Sequence, residues 1–282
     1  MRINDFDIYQ NLLMEKSGLS LTQDKSYLLD SRLTPVSKKW GFPSLDAMTM
    51  ALQGVPDPNL VKDVIESMTT NETSFFRDTR PFDAFRDHVL PALLEKRAIQ
   101  KRIRIWCAAS STGQEPYSLA MLIKEQDAKL AGWHFEIIGT DISTEVIEKA
   151  QKAEYTQFEV QRGLPIQMLV KYFEQKNEKW ALKPEIKNMV KYRYFNLLDP
   201  LTPLGKFDII FCRNVLIYFD KPTKKAVLEK MYDLLPPDGF LFLGGSETVL
   251  GITESYTLAP DLRGIYSKNE TAPARVGKAL AT

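Results

Sequence analysis

Apolar side chains along the first 70 residues recur at helical spacing. Phe6, Tyr9, Leu12 and Leu13 stand at positions i, i+3, i+6 and i+7, which places them on one face of a helix. This stretch contains no convincing strand, so we predict an N-terminal helical domain over residues 1–70. Further helices are expected over residues 21–40, 45–52 and 60–68.

From residue 100 onward, short apolar runs alternate with helical patterns. Such alternation is typical of a parallel sheet covered on both faces, so we predict a doubly wound α/β domain over residues 100–268. Residues 71–99 are expected to form a linker and a first helix. The predicted strands are 102–109, 135–139, 207–212 and 240–244, followed by a hairpin over 256–267; the predicted helices are 117–126, 144–152 and 221–235.

Residues 155–198 interrupt this alternation with shorter, mixed patterns. We interpret about 155–195 as an inserted subdomain with a small structure of its own. The stretch 155–198 holds eight Lys and Arg against four Glu and no Asp. Residues 269–282 are expected to be a flexible tail.

Composition excludes several broad classes of protein. The 282 residues carry a net charge of +1, which does not indicate a general nucleic-acid binder. Two cysteines are too few for a disulfide-stapled secreted scaffold, and we expect both Cys107 and Cys212 to be buried packing residues. No apolar stretch suggests a signal peptide or a membrane span, so we expect a soluble cytoplasmic protein.

Three predicted loops place polar residues beyond the carboxyl ends of the strands, where open α/β sheets bind ligands. The first, residues 110–116, has one glycine and lacks the GxGxxG pattern of a dinucleotide fold. Glu115 suits a cation there, such as the amino group or sulfonium of S-adenosylmethionine, or it simply favours a helix N-terminus. Asp141 has the position of a residue that accepts hydrogen bonds from ribose, or it caps the next helix in competition with Ser143 or Thr144.

Five segments of the chain resemble the bacterial chemotaxis protein methyltransferases. That family combines an N-terminal helical domain with a class I S-adenosylmethionine methyltransferase domain that carries a small inserted β-subdomain. The order and approximate spacing of the five segments hold over nearly the whole chain. They are TNETSFFRD (70–78), IWCAASSTGQEPYS (105–118), GTDI (139–142), FDIIFCRNVLIYFD (207–220) and GGSE (244–247).

The resemblance implies methylation of glutamate side chains on chemoreceptors, with S-adenosylmethionine as methyl donor and S-adenosylhomocysteine as product. It implies that Arg77 and Tyr218 lie nearest the methyl group and the incoming glutamate. The cofactor-binding residues that it implies are Asn71, Thr73 and Arg77 from the linker, Glu115 and Asp141 on the methionine and ribose portions, Asn196 and Leu197 at the adenine, and Asn214 and Val215 at the middle of the cofactor. Without the resemblance, Asn71 and Thr73 fit a helix stop and cap, and Tyr218 fits a buried aromatic.

One departure from the family concerns the inserted subdomain. Members that dock a C-terminal pentapeptide of the receptor carry a glycine-containing loop there, whereas residues 173–180 form a shorter segment without glycine. We therefore expect the cytoplasmic domains of chemoreceptors as partners, without dependence on a pentapeptide. Whether a regulatory protein also binds is left open, and neither nucleic acid nor a metal ion is expected.

Lys25, Arg32 and Lys39 are spaced by seven residues, which would align them as a basic stripe on a continuous helix. We interpret the stripe as a contact to a glutamate-rich receptor, against the alternative of a solvated helix face. Pro35 should kink or divide the helix and weakens the alignment. An alternative for the whole chain is a non-catalytic adaptor that binds receptor or cofactor.

Overall fold

The computed structural model describes residues 3–272; the predicted tail falls largely on residues 273–282, outside that range. The helices are α1 (Ile3–Ser17), α2 (Tyr27–Lys39), α3 (Leu45–Gln53), α4 (Pro58–Met68), α5 (Arg80–Ala84), α6 (Leu90–Lys96), α7 (Gln114–Lys124), α8 (Thr144–Lys152), α9 (Gln157–Gln161), α10 (Ile166–Tyr172), α11 (Pro184–Lys187) and α12 (Lys221–Leu234). The strands are β1 (Arg102–Ala108), β2 (His134–Asp141), β3 (Glu154–Thr156), β4 (Phe173–Lys176), β5 (Lys179–Leu182), β6 (Val190–Tyr194), β7 (Ile209–Cys212), β8 (Phe240–Leu243), β9 (Tyr256–Leu258) and β10 (Ile265–Lys268). None of the helices between residues 3 and 272 combines the length and the apolar character that a bilayer crossing requires.

Helices α1 to α4 form the N-terminal part of the molecule around a hydrophobic cluster of their own. Tyr9, Leu13, Leu29 and Leu33 are completely buried in it. Of the two predicted effects of Pro35, a kink or a division of the helix, the division is wrong, because α2 continues through that residue to Lys39. The buried face of α2 holds both halves of the helix against the cluster, and this packing offsets the hydrogen bond that proline removes.

The large sheet has seven strands in the order β6-β2-β1-β7-β8-β10-β9. The first five are parallel, and β10 and β9 form the predicted closing hairpin with antiparallel pairing. This topology confirms the predicted doubly wound α/β class. The chain leaves β1 towards β2 and β6 on one side and continues with β7 and β8 on the other, so the crevice at the carboxyl ends of β1 and β7 is the expected ligand position.

The two cysteines are buried packing residues, as predicted, and lie on neighbouring strands. Cys107 is on β1 and Cys212 on β7, both are free thiols, and both are completely buried. Burial raises the pKa of each thiol well above its usual value, so both remain protonated and unreactive in the core.

Between α8 and β6 the chain forms a three-stranded antiparallel sheet in the order β3-β5-β4, accompanied by α9, α10 and α11. The expected end of the insertion near residue 195 differs from the structure, since β6 pairs with β2 in the large sheet. The small sheet packs on Phe75, whose ring lies 5.0 Å from that of Tyr155. Gly163 approaches closely as well: a Cβ there would stand 2.1 Å from the Phe75 carbonyl oxygen, so this position tolerates only glycine.

Candidate functional site

A crevice of about 1000 Å³, measured with its open mouth, lies at the carboxyl ends of β1, β2 and β7. Its walls come from the N-terminal helices, the linker after α4 and the loops of the large sheet. Every residue that sequence reasoning assigned to the cofactor or to the chemistry lines it; their individual roles stay predictions. These residues are Asn71, Thr73, Arg77, Glu115, Asp141, Asn196, Leu197, Asn214, Val215 and Tyr218.

The loop after β1 is shaped by residues in the left-handed region. Ala109 has φ +55° and Ser111 φ +50°, an uncommon conformation for residues other than glycine. Ser111 connects two walls of the crevice: its backbone N–H donates to the Asp141 carboxylate at 2.9 Å, and its hydroxyl donates to the Asn71 carbonyl at 2.7 Å. Such unusual backbone, held by specific hydrogen bonds, is characteristic of functional sites.

Glu115 lies in the first turn of α7 and is buried beside Arg213. Nη1 of Arg213 donates to the Glu115 carboxylate at 2.8 Å, and the Arg213 side chain is only 1% exposed. Burial raises the pKa of the Glu115 carboxyl above its usual value, while the Arg213 guanidinium acts in the opposite direction. Glu115 is therefore one half of a buried ion pair, which the sequence alone did not indicate.

The other amino group of the same guanidinium fastens the linker. Nη2 of Arg213 donates to the Arg77 carbonyl at 2.9 Å and to the Asp78 carboxylate at 2.7 Å. Arg213 thus holds the backbone of a predicted cofactor residue in place. Sequence reasoning missed this function, because the position of Arg213 directly after an apolar strand does not show which distant groups its guanidinium reaches.

Asp141 ends β2 with both carboxylate oxygens facing the loops. One accepts from Ser111, and the other accepts from the Ser143 backbone N–H at 3.0 Å. The cap of α8 is Ser143, whose hydroxyl accepts from Val146, so the alternative interpretation of Asp141 as that cap does not hold. Burial raises the pKa of the Asp141 carboxyl against the lowering effect of these N–H groups.

The linker between α4 and α5 forms the roof of the crevice. Phe76, Asp78 and Thr79 all have positive φ angles, between 47° and 68°. Arg77 is half-buried, and its Nη1 donates to the Glu72 carbonyl at 3.0 Å, which folds the side chain back over the roof. The Glu72 carboxylate in turn pairs with Arg162 of the insertion, so the roof is fastened to the small subdomain as well.

The N-terminal helices close the crevice from the adenine side of the predicted arrangement. Nδ2 of Asn196 donates to the Lys16 carbonyl at 2.6 Å, while its Oδ1 accepts from the Leu198 backbone N–H at 3.0 Å. The Ser20 backbone N–H donates to the Tyr218 carbonyl at 2.8 Å. The side chain of Asn196 is thus engaged by protein, and Leu197 offers an apolar wall.

The three residues of the expected basic stripe do not share one helix face. Lys25 precedes α2, which begins at Tyr27. Nη1 of Arg32 donates to the Met68 and Thr69 carbonyls at 2.7 and 3.0 Å, so Arg32 caps the end of α4. Lys39 is exposed and pairs with Asp63 at 2.7 Å. Because local pairing takes up two of the three cations, a receptor contact here stays a prediction that rests mainly on Lys25.

The donor set of the crevice fits S-adenosylmethionine. Within residues 3–272, four side-chain polar atoms are buried without a hydrogen-bond partner, and two of them, Ser110 Oγ and Arg213 Nε, belong to residues that line the crevice. Buried polar atoms are rarely left unpaired, so these two indicate a polar ligand. Two buried carboxylates suit a cationic ligand with hydroxyl groups, and the apolar side chains of Leu197 and Val215 suit a purine.

We expect the affinity for S-adenosylmethionine to fall as the pH is lowered. The pKa values of Glu115 and Asp141 are raised, so both carboxyls lose their charge at a higher pH than exposed ones would. The protonated forms no longer attract the cationic donor, and the dissociation constant should rise about tenfold between pH 8 and pH 5. Calorimetric titration across this range measures it; a dissociation constant that stays flat would contradict this electrostatic role.

Comparison with known proteins also indicates a methyltransferase. Residues 71–264 match the family described as CheR methyltransferase, SAM binding domain. Chemotaxis protein methyltransferase Cher2 of Pseudomonas putida is 40% identical over 93% of this chain and 96% of its own length. Chemotaxis protein methyltransferase 1 of Pseudomonas aeruginosa is also 40% identical over the same shares, and the chemotaxis protein methyltransferase of Vibrio parahaemolyticus is 38% identical over 92% and 94%.

Proposed function

The chain belongs to the CheR methyltransferase family, and we propose that it methylates glutamate side chains of chemoreceptors from S-adenosylmethionine. The observation that carries this proposal is the single crevice that gathers Glu115, Asp141, Arg77 and Tyr218 at the carboxyl ends of the strands. The relatives named above are chemotaxis protein methyltransferases, which supports a chemoreceptor as the acceptor. The products are a glutamate methyl ester and S-adenosylhomocysteine.

The proposed chemistry needs no general base. A glutamate with a reference pKa of about 4.3 is almost wholly ionised at neutral pH, and S-adenosylmethionine supplies an already activated methyl group. The protein therefore contributes orientation and exclusion of water. Tyr218 donates a hydrogen bond that fixes one carboxylate oxygen, and Arg77 orients the acceptor from the roof. His88 and His134 are both exposed and have no part in this scheme.

The acceptor we propose is a glutamate on a helical bundle. Ester formation removes one negative charge from each site, which changes the repulsion between packed helices and therefore their signalling bias. The small subdomain supports recognition without a C-terminal pentapeptide. Its β4–β5 hairpin closes with only Asn177 and Glu178 between the paired Lys176 and Lys179, so no long loop projects from it.

A labelling experiment tests the function directly. The protein is incubated with S-adenosylmethionine labelled in the methyl group and with cytoplasmic fragments of chemoreceptors. Label that enters the receptor and is released by mild base identifies a carboxyl ester. The matched control replaces each candidate glutamate by glutamine. Binding of cofactor and receptor without incorporation would instead establish the non-catalytic adaptor.

Charge reversal at Lys25 tests the receptor contact. Lys25→Glu is expected to raise the Michaelis constant for the receptor about threefold at low ionic strength, because an exposed cation steers an acidic partner modestly. Lys129→Glu is the matched control, since Lys129 is also exposed but precedes the amino end of β2, whereas the crevice lies at the carboxyl ends of the strands. Equal Michaelis constants for the two variants would show that Lys25 does not contribute to receptor recognition.

A further inference from the structure

Glu247, in the loop after β8, lies beneath the crevice loop that carries Tyr218. Its carboxylate accepts four backbone hydrogen bonds. Oε2 accepts from Gly244 at 2.7 Å and from Asn214 at 2.8 Å, and Oε1 accepts from Val215 at 3.0 Å and from Ile217 at 3.2 Å. The residue is only 9% exposed, so these bonds form largely away from water.

Three of the four donors belong to one short segment, residues 214–217, which follows β7. Asn214 has φ +58°, a conformation that turns successive N–H groups towards the same point. Without an acceptor at that point, the converging N–H groups would be left unpaired, which is costly for buried backbone. The conformation of the segment therefore depends on an anion, and the chain supplies the anion itself.

The fit around this carboxylate is close. A Cβ at Gly244 would stand 2.7 Å from Oε2 of Glu247 and 2.9 Å from Nδ2 of Asn214, so only glycine allows the carboxylate to sit there. Asn214 and Val215 line the crevice, and Tyr218 ends the 3₁₀ turn Leu216–Tyr218 directly after them. Glu247 thus fixes the backbone conformation of the segment that leads into Tyr218, the predicted catalytic tyrosine.

We propose that Glu247 is a positioning residue for methyl transfer: its carboxylate fixes residues 214–217 and thereby the placement of Tyr218 and of the cofactor wall. This inference rests on the proposed function for its catalytic part. The requirement is for a carboxylate specifically, because four N–H donors need two oxygens that each accept twice. Glutamine has one such oxygen, and its amide group would face two N–H donors with donors of its own.

The test compares Glu247→Gln with Glu254→Gln, a matched change at an exposed glutamate seven positions along the chain. Glu247→Gln is expected to weaken S-adenosylhomocysteine binding about tenfold by calorimetry. It should lower kcat for receptor methylation about 100-fold, with a much smaller change in the Michaelis constant for the receptor. Glu254→Gln should match the wild type in all three measurements.

Coupling to Tyr218 separates positioning from general stabilisation. If Glu247 acts through Tyr218, the kcat loss caused by Tyr218→Phe in the wild type should nearly vanish in the Glu247→Gln background. Thermal unfolding and far-ultraviolet circular dichroism establish that the compared proteins are folded at the assay temperature.

The inference would be overturned if the kcat losses of Tyr218→Phe and Glu247→Gln simply multiplied in the double variant. It would also be overturned if folded Glu247→Gln kept the wild-type kcat and the wild-type affinity for S-adenosylhomocysteine. The calorimetric measurement does not depend on the acceptor. A wild-type protein that binds S-adenosylhomocysteine but esterifies no receptor glutamate would therefore refute the proposed function alone, and the loss of affinity in Glu247→Gln would still decide the inference.

Discussion

Replacing Tyr218 by phenylalanine is expected to slow methyl transfer about 100-fold and to leave the affinity for S-adenosylhomocysteine within about threefold of the wild type. In the proposed mechanism the hydroxyl group is the part of the residue that orients the acceptor carboxylate. The backbone of Tyr218 stays in place, because its carbonyl accepts from Ser20 and its N–H donates to the Val215 carbonyl. The phenylalanine ring retains the packing of Tyr218 against the buried apolar side chains between the large sheet and α12, such as Leu216 and Val227.

Arg77→Ala is also expected to slow methyl transfer, because in the proposed mechanism the guanidinium orients the acceptor from the roof of the crevice. Single-turnover rates with receptor fragments, together with calorimetry, separate the loss of chemistry from a loss of binding. Tyr27→Phe and Arg80→Ala are matched controls, since both side chains are exposed and outside the crevice. Calorimetry in which Tyr218→Phe abolishes cofactor binding would refute this division of roles.

Replacing Arg213 by methionine is expected to lower the free energy of unfolding by about 3–5 kcal/mol, because it leaves the buried Glu115 carboxylate without its partner. The same change releases the Arg77 carbonyl and Asp78, so activity should be lost as well. Urea unfolding measures the stability. Arg86→Met is the matched control: its ion pairs with Asp83 and Asp87 lie at the surface and should contribute less than about 1 kcal/mol.

The cost of Arg213→Met should depend on pH. Without the guanidinium, burial raises the pKa of Glu115 further, so the folded state holds a proton that the unfolded state releases at neutral pH. The free energy of unfolding of the variant then falls as the pH rises between the pKa of Glu115 in the unfolded state and its higher pKa in the folded state. The loss of stability caused by Arg213→Met should therefore be smaller at pH 5 than at pH 8. Adding Glu115→Gln should restore much of the stability; a double variant no better than Arg213→Met would contradict the buried-charge explanation.

Local patterns in the sequence predicted much of the fold because the signals are themselves local. The helix at Thr144–Lys152 and the closing hairpin follow from periodicity and turn residues within a few positions of each other. The end of the insertion was missed for the opposite reason. Strand β6 is short and mixed in pattern, and only its pairing with β2 places it in the large sheet.

The same distinction between local and long-range signals separates the site residues that the sequence predicts from those that it does not. Residues inside recognisable motifs, such as Glu115 and Asp141, could be placed at strand ends before the structure was known. Arg213 and Glu247 could not be assigned, because their functions depend on partners about 100 and 30 positions away. Arg32 was assigned to the surface, since sequence spacing does not show that its guanidinium reaches the carbonyls at the end of α4.

The contact between the end of α1 and the loops around Asn196 and Tyr218 has a thermodynamic consequence. A ligand seated in the crevice touches surfaces contributed by both domains, so its binding energy is shared between them. Saturating cofactor is therefore expected to raise the melting temperature of the N-terminal helices together with that of the sheet, so that calorimetric scans of the bound protein show one cooperative transition.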